Sequence, residues 1–248
     1  MVVSGTRLAV YARLLLLSCA VISVAQDKPT SVSCVEVALH PFVPGTDSPK
    51  VRLEATVTNN CEKDITAIAM VVRSTASEEG YQKAARDYIA CLAYQLDKEI
   101  SHACDILRRG ASDEVEVQLR DDFPDPATAV MAVDTAIFLD RTAAGDLLRA
   151  SGLMKSRAAF ATTYTEEYRL LAQLTNNYEQ ALAVVRSGHL KASAQVTAAF
   201  ENMLARLRNS DTGSWRRYVD VELPTLARLA LVTKQNSVLA ANDSAARR

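Results

Sequence analysis

Val51-Arg52-Leu53-Glu54-Ala55-Thr56-Val57-Thr58, then Asn59-Asn60-Cys61-Glu62-Lys63-Asp64, then Ile65-Thr66-Ala67-Ile68-Ala69-Met70-Val71-Val72, is the stretch whose reading decides the fold. In its first segment Val51, Leu53, Ala55 and Val57 alternate with Arg52, Glu54, Thr56 and Thr58. Successive strand side chains point to opposite faces, so a period of two makes a half-buried strand. The middle six residues are polar turn formers. The third segment is apolar on both faces, as in a central strand covered on either side.

The same period extends outward from this stretch. Upstream, Val35, Val37 and Leu39 alternate with Glu36 and Ala38; downstream, Val115, Val117 and Leu119 alternate with Glu114, Glu116 and Gln118, and an apolar run spans residues 129–139. Turn chemistry at 44–47, 109–112 and 121–126 separates these runs. Short alternating strands between such turns predict an antiparallel β-sandwich. One segment, residues 77–107, breaks the pattern: Tyr81, Ala84, Ala85, Tyr88, Leu92 and Leu96 recur at helical spacing and predict a helical insertion.

After Gly145 the period changes. Phe160, Tyr164, Leu171, Leu174, Tyr178, Leu182 and Val185 form a stripe on a chain free of proline and glycine between Lys155 and Ser187, which predicts one long amphipathic helix. A second helix follows with Leu190, Val196, Phe200, Met203, Leu204 and Leu207 on one side. A third, residues 221–232, carries Pro224 where a first-turn proline belongs. The expected class is α+β: a strand domain over residues 26–145 with its insertion, a helical hairpin or three-helix region over 146–235, and a disordered tail at 236–248. The long stripe needs a cover, supplied by the other helices or by a partner, and is the candidate partner-binding surface.

Ahead of the strands, Arg7 and Arg13 precede an apolar run from Leu14 to Ala25, which ends Ser23-Val24-Ala25 before Gln26-Asp27-Lys28. A positive start, a short apolar stretch and small residues before the cut read as a signal peptide over residues 1–25. The run falls short of the about 20 apolar residues that a membrane-spanning helix needs. Leu16-Leu17-Ser18-Cys19 is similar to a bacterial lipoprotein box, but the apolar residues between Cys19 and Ala25 favour release over a lipid anchor. The expected location is secreted or periplasmic, with no membrane span after processing.

Export makes the cysteines structural. Cys34, Cys61, Cys91 and Cys104 remain after cleavage, an even number that reads as two disulfides with three possible pairings. A hairpin around residues 41–50 would bring Cys34 beside Cys61, which favours that pair and leaves Cys91 for Cys104. On one straight helix the latter two would stand about 20 Å apart, so their pairing demands a bend.

Other chemistry is sparse. Without Arg7 and Arg13, 26 basic residues face 29 acidic ones, and the arginine doublets at 108–109, 216–217 and 247–248 are scattered, so no nucleic-acid partner is expected. His40, His102 and His189 show no metal-ligand spacing, and Asp121, Asp122 and Asp125 lack that of a calcium loop. No nucleophile elbow, phosphate loop, dinucleotide fingerprint or H-E-x-x-H string occurs. No cofactor or metal is expected, and no catalytic residue is assigned.

Two strings carry a resemblance: residues 57–67, an asparagine turn followed by Lys63-Asp64-Ile65-Thr66-Ala67, and residues 133–146, Val133-Asp134-Thr135-Ala136-Ile137-Phe138-Leu139-Asp140-Arg141-Thr142-Ala143-Ala144-Gly145-Asp146. They resemble uncharacterised exported bacterial proteins with a small immunoglobulin-like sandwich, over about residues 32–147. The resemblance implies that fold and no activity. Arg141 stands where the pattern has glycine, and Cys61 where it has a small polar residue. The expectation is an exported, non-enzymatic protein acting through an unknown protein partner or self-association of its helical region. An exported hydrolase with its site between sandwich and helices, or an envelope lipoprotein, is the alternative.

Overall fold

The computed structural model describes residues 31–42, 51–77, 80–95, 105–173, 178–187, 193–207 and 212–240. The leader, Cys104, Leu174, His102, His189 and residues 241–248 lie outside them. Strands β1 (Val35–Leu39), β2 (Arg52–Asn59) and β5 (Ser112–Gln118) make one antiparallel sheet in the order β1-β2-β5. Strands β3 (Ile65–Ser74), β4 (Tyr81–Asp87), β6 (Ala129–Phe138) and β7 (Ala143–Gly145) make the second, in the order β4-β3-β6-β7, also antiparallel.

The alternation decides how the sheets meet. Leu53, Ala55 and Val57 of β2 and Val115 and Val117 of β5 are buried in one core with Ile68, Met70 and Val72 of β3 and Val133 and Ala136 of β6. Each valine, leucine, isoleucine or methionine among them contributes roughly 1.5–3 kcal/mol by leaving water. The other face of the three-stranded sheet, with Glu54, Glu114 and Glu116, stays exposed. The other face of the four-stranded sheet does not, because Ala67 and Ile137 are covered by a helix.

The 59–64 turn crosses from one sheet to the other, and Asn59 pins it. Its fully buried side chain donates to the carbonyls of Lys63 (3.0 Å) and Leu107 (2.9 Å) and accepts from the Cys61 N–H (2.9 Å). Beside it, Cys34 and Cys61 are joined by a disulfide with their Cα atoms 4.8 Å apart. Cys91 is disulfide-bonded as well.

Helix α1 (Ile89–Gln95) follows β4; the helical region holds α2 (Leu147–Gln173), α3 (Tyr178–Arg186), α4 (Ala194–Leu207) and α5 (Thr212–Gln235). Asp146 starts α2 by accepting from the Leu148 (2.9 Å) and Arg149 (3.1 Å) backbone N–H groups, as a cap residue does.

Several expectations change. The 77–107 segment is not a helical insertion throughout, since residues 81–87 form strand β4, paired with β3 from Arg73↔Tyr81 to Ala67↔Asp87. Its alanines favour a helix in isolation, but the unpaired edge of a mostly apolar β3 offers a full ladder, and tertiary pairing overrides propensity. Pro224 is not a first-turn residue but lies inside α5. Burial of Trp215 and Val219 upstream carries the helix past it, at the cost of the bond its missing N–H would make. The beginning of the tail, residues 236–240, is fastened: Leu239 packs beside Ile137 and Met154, and the Ala240 N–H donates to the Arg141 carbonyl at 2.9 Å.

Candidate functional site

Two arginines of α2, Arg149 and Arg157, fasten that helix to the four-stranded sheet. They stand eight residues apart, about 12 Å and roughly 2.2 turns along the helix, so both lie within one broad side of it, about 80° apart. Each meets an irregularity in the β3–β6 ladder. The register shifts between Ala69 and Met70 leave Asp134 as an extra residue in β6, and those between Ile65 and Ala67 leave Thr66 extra in β3. Bulges of this kind re-aim a side chain or free a carbonyl.

At the first bulge the buried Asp134 carboxylate pairs with Arg149, whose Nη2 also donates to the carbonyls of Met70 (3.3 Å) and Ala84 (3.2 Å). The Asp134 carbonyl accepts from the Asp146 N–H at 2.9 Å. Gly145 makes this approach possible: it has φ +86°, and a Cβ there would land on the Asp134 carbonyl. At the second bulge Arg157, fully buried, donates through Nη2 to the Thr66 carbonyl (2.9 Å) and hydroxyl (3.1 Å). Its Nε and Nη2 grip the two Asp87 oxygens at 2.8 and 2.9 Å, and Nη1 donates to the Asn236 carbonyl at 3.2 Å. Ala67, Ile137, Ala150 and Met154 fill the space between the two arginines.

Further along α2 the helices pack on one another. Leu171 is buried with Val196, Phe200, Trp215 and Val219, and Tyr164 is half-buried between this cluster and one made by Ile89, Ala93, Leu229 and Val232. Phe160 stacks on Tyr164 with ring centroids 6.3 Å apart. Tyr164 and Leu171 of the long stripe thus face the chain's own α1, α4 and α5. Leu174 lies outside the described residues, while Tyr178, Leu182 and Val185 fall within α3. Glu167 sits half-buried among these helices, where burial, then Glu222 and Glu166, push its carboxyl up to about 7.

His40 follows β1 on the open face of the three-stranded sheet. Its Nε2 lies 2.8 Å from the Thr56 hydroxyl oxygen, and that hydroxyl donates to Glu114 Oε1 at 2.7 Å. The hydroxyl's single proton is thereby given to the carboxylate, so the imidazole donates to the hydroxyl instead of drawing its proton. An activated nucleophile needs the opposite direction. The cluster is a cross-strand polar ladder, with Glu54 4.0 Å from His40 Nδ1. Asp122 pairs with Arg120 at 3.0 Å, and Asp125 caps the short turn at Pro126–Thr128. Among the described residues no group of three or more His, Cys, Asp or Glu side chains is arranged to hold a metal ion. Among them, too, no helix is long and apolar enough to cross a membrane.

The sequence reading missed both arginines and Glu167. A signal for Arg157 existed: Ala150, Met154, Arg157, Ala161 and Leu171 share one face of α2, and the arginine holds a core position on it.

No protein-family model matches the chain, and no curated protein matches it. Among solved structures, the one described as "X-ray structure of Northeast Structural Genomics Consortium target SoR45" is similar over 46% of this chain and 78% of its own length, at 7% identity. The TM-score of that match is 0.22, too low to carry fold or function across.

Proposed function

We propose that this is an exported, non-enzymatic protein in which an immunoglobulin-like sandwich carries a helical region that serves partner binding or assembly in the cell envelope. The observation that supports the reading best is the contact between the four-stranded sheet and α2. A hydrolase built on these two parts would place its site there, with free carboxylates or a nucleophile lining a crevice. In that contact Asp134 and Asp87 are engaged by Arg149 and Arg157, and apolar side chains fill the space between. The groups are used to hold the helical region at a fixed angle to the sheet, as a presenting scaffold requires.

Release at Ala25 and the kinship with exported bacterial sandwich proteins belong to the same proposal. The disulfide between Cys34 and Cys61 supports an oxidising compartment. Chemical crosslinking of the mature protein in cell-envelope extract, with size measurement of the purified protein, tests the reading. A defined dimer or a reproducible crosslinked partner, lost when exposed side chains of the helical region such as Tyr168 and Arg169 are replaced, is expected. A strictly monomeric protein with no crosslinked species would overturn it. Mass spectrometry of the mature amino terminus gives Gln26 for a released product and an acylated Cys19 for a lipoprotein.

A further inference from the structure

We propose that the outward face of α5 is a self-association surface, on which α5 of a second copy of this chain lies antiparallel about a two-fold axis beside Ala227. The inference rests on the reading above, that the helical region serves assembly, and deepens it by naming the face and its occupant.

The face is apolar where the outer side of a surface helix is ordinarily polar. Trp215, Val219, Leu226, Leu229 and Val232 turn inward on the chain's own helices, which already accounts for the apolar stripe of an amphipathic helix. On the opposite side Val221, Pro224, Ala227 and Leu231 are exposed, and Val238 continues the row just past the end of α5. Val221, Leu231 and Val238 show 45%, 55% and 65% of their surface to solvent. Scattered exposed apolar residues are ordinary, but a row of them along one helix marks a contact surface.

The charges of the same face identify what covers it. Asp220 stands near one end of the row and Lys234 near the other; both are exposed, and neither side chain makes a hydrogen bond or ion pair among the described residues. Asp220, Pro224, Ala227, Leu231 and Lys234 follow one another at spacings of four, three, four and three, so they lie along one side of the helix. A half-turn of a copy about an axis beside Ala227 brings Pro224 level with Leu231 of the copy. The same operation puts Asp220 within one residue's rise, about 1.5 Å, of the level of Lys234. Symmetry repeats each contact, so the face is complementary to itself, as a two-fold interface must be.

The rest of the face agrees with this arrangement. Ala227, with its small side chain, sits at the axis and lets the two helices approach closely. Arg216 and Arg217 fall beside Val238 and Leu239 of the copy, clear of its cations, and Arg228, nearest the axis, is half-buried and already engaged within its own chain. A parallel pair would set Asp220 against Asp220 and Lys234 against Lys234, so like-charge repulsion selects the antiparallel one. One helix from each copy makes a small interface, and the dimer is accordingly reversible and concentration-dependent.

Sedimentation equilibrium of the full mature protein over a series of concentrations up to its solubility limit tests the proposal, with circular dichroism to show that each variant keeps its helices. A monomer–dimer equilibrium that weakens as salt is raised is expected. Asp220→Lys and Lys234→Asp, each alone, are expected to weaken the dimer about tenfold or more by opposing like charges, and the double variant, which exchanges the charges, to return to within about threefold of the wild type. Leu231→Asp is expected to abolish the dimer. Single reversals without effect, or a double variant no tighter than the single ones, would overturn the proposal while an assembly role of the helical region still stands. A monomer that crosslinks to a different protein overturns it in the same way, and a monomer with no crosslinked species overturns both readings.

Discussion

Arg157, on the long helix, and Asp87, at the end of β4, are joined by two nitrogen–oxygen contacts of 2.8 and 2.9 Å, with no part of the arginine side chain exposed. Removing one member of a buried pair leaves the other charged and uncompensated, which costs about 3–5 kcal/mol. Arg157→Ala is therefore expected to lower stability by that order in urea unfolding. Arg157→Lys should recover little, since one ammonium cannot serve Asp87, Thr66 and Asn236 together. A loss below about 1 kcal/mol, the range of exposed pairs, would show that the contact does not hold the helix.

Glu167 makes stability depend on pH with a definite sign. Its folded value lies near 7 against an ordinary 4.5, so the folded protein binds the proton more tightly than the unfolded one. Its stabilising share is complete below pH 4.5 and is lost as pH rises to about 7. Glu167→Gln is expected to raise stability at pH 8 by on the order of 2 kcal/mol and to change little at pH 4. Equal effects at the two pH values in urea unfolding would contradict this assignment.

Two positive-φ residues in the β6–β7 hairpin should respond in opposite directions. Arg141 has φ +67°, in a turn closed by Phe138 N–H to the Thr142 carbonyl at 2.9 Å, a place where glycine is the usual occupant. Arg141→Gly is expected to stabilise by about 0.5–1 kcal/mol through relief of the left-handed backbone. Gly145→Ala drives a methyl onto the Asp134 carbonyl and should cost more than about 3 kcal/mol, by strain and by displacing Asp134 from Arg149. Thermal melts of the two variants decide it.

The Cys34–Cys61 disulfide closes a 27-residue separation, which by loop entropy is worth about 3–4 kcal/mol. A Cys34→Ser, Cys61→Ser double variant should lose stability of that order while keeping β-sheet circular dichroism. If the loss is under about 1 kcal/mol, the β1–β2 ladder already restrains the loop in the unfolded chain.

The strand order along the chain was legible wherever apolar and polar residues alternated, as in Leu53, Ala55 and Val57, because burial of one face is decided locally. Strand β4 was not legible, since Ala84 and Ala85 suit a helix and only the bare edge of β3 makes them a strand. The arginine contacts were hidden for a related reason. A charge in a helix sequence ordinarily faces water, and the acceptors of Arg157 lie 70 to 91 residues away, at a bulge and a strand end that no local pattern marks. Glu167 was overlooked because a raised carboxylate depends on which helix covers it.

The five donors of Arg157 also impose an order of events on the chain. Thr66 and Asp87 leave the ribosome well before the arginine, and Asn236 arrives last of all. The two sheets can therefore form while the outer side of β3 is still bare. That side gains its roof only when α2 has followed the strands, and its last fastenings, Asn236 and Leu239, only after α3, α4 and α5, so a chain in transit carries a half-sealed apolar wall through the synthesis of those later helices.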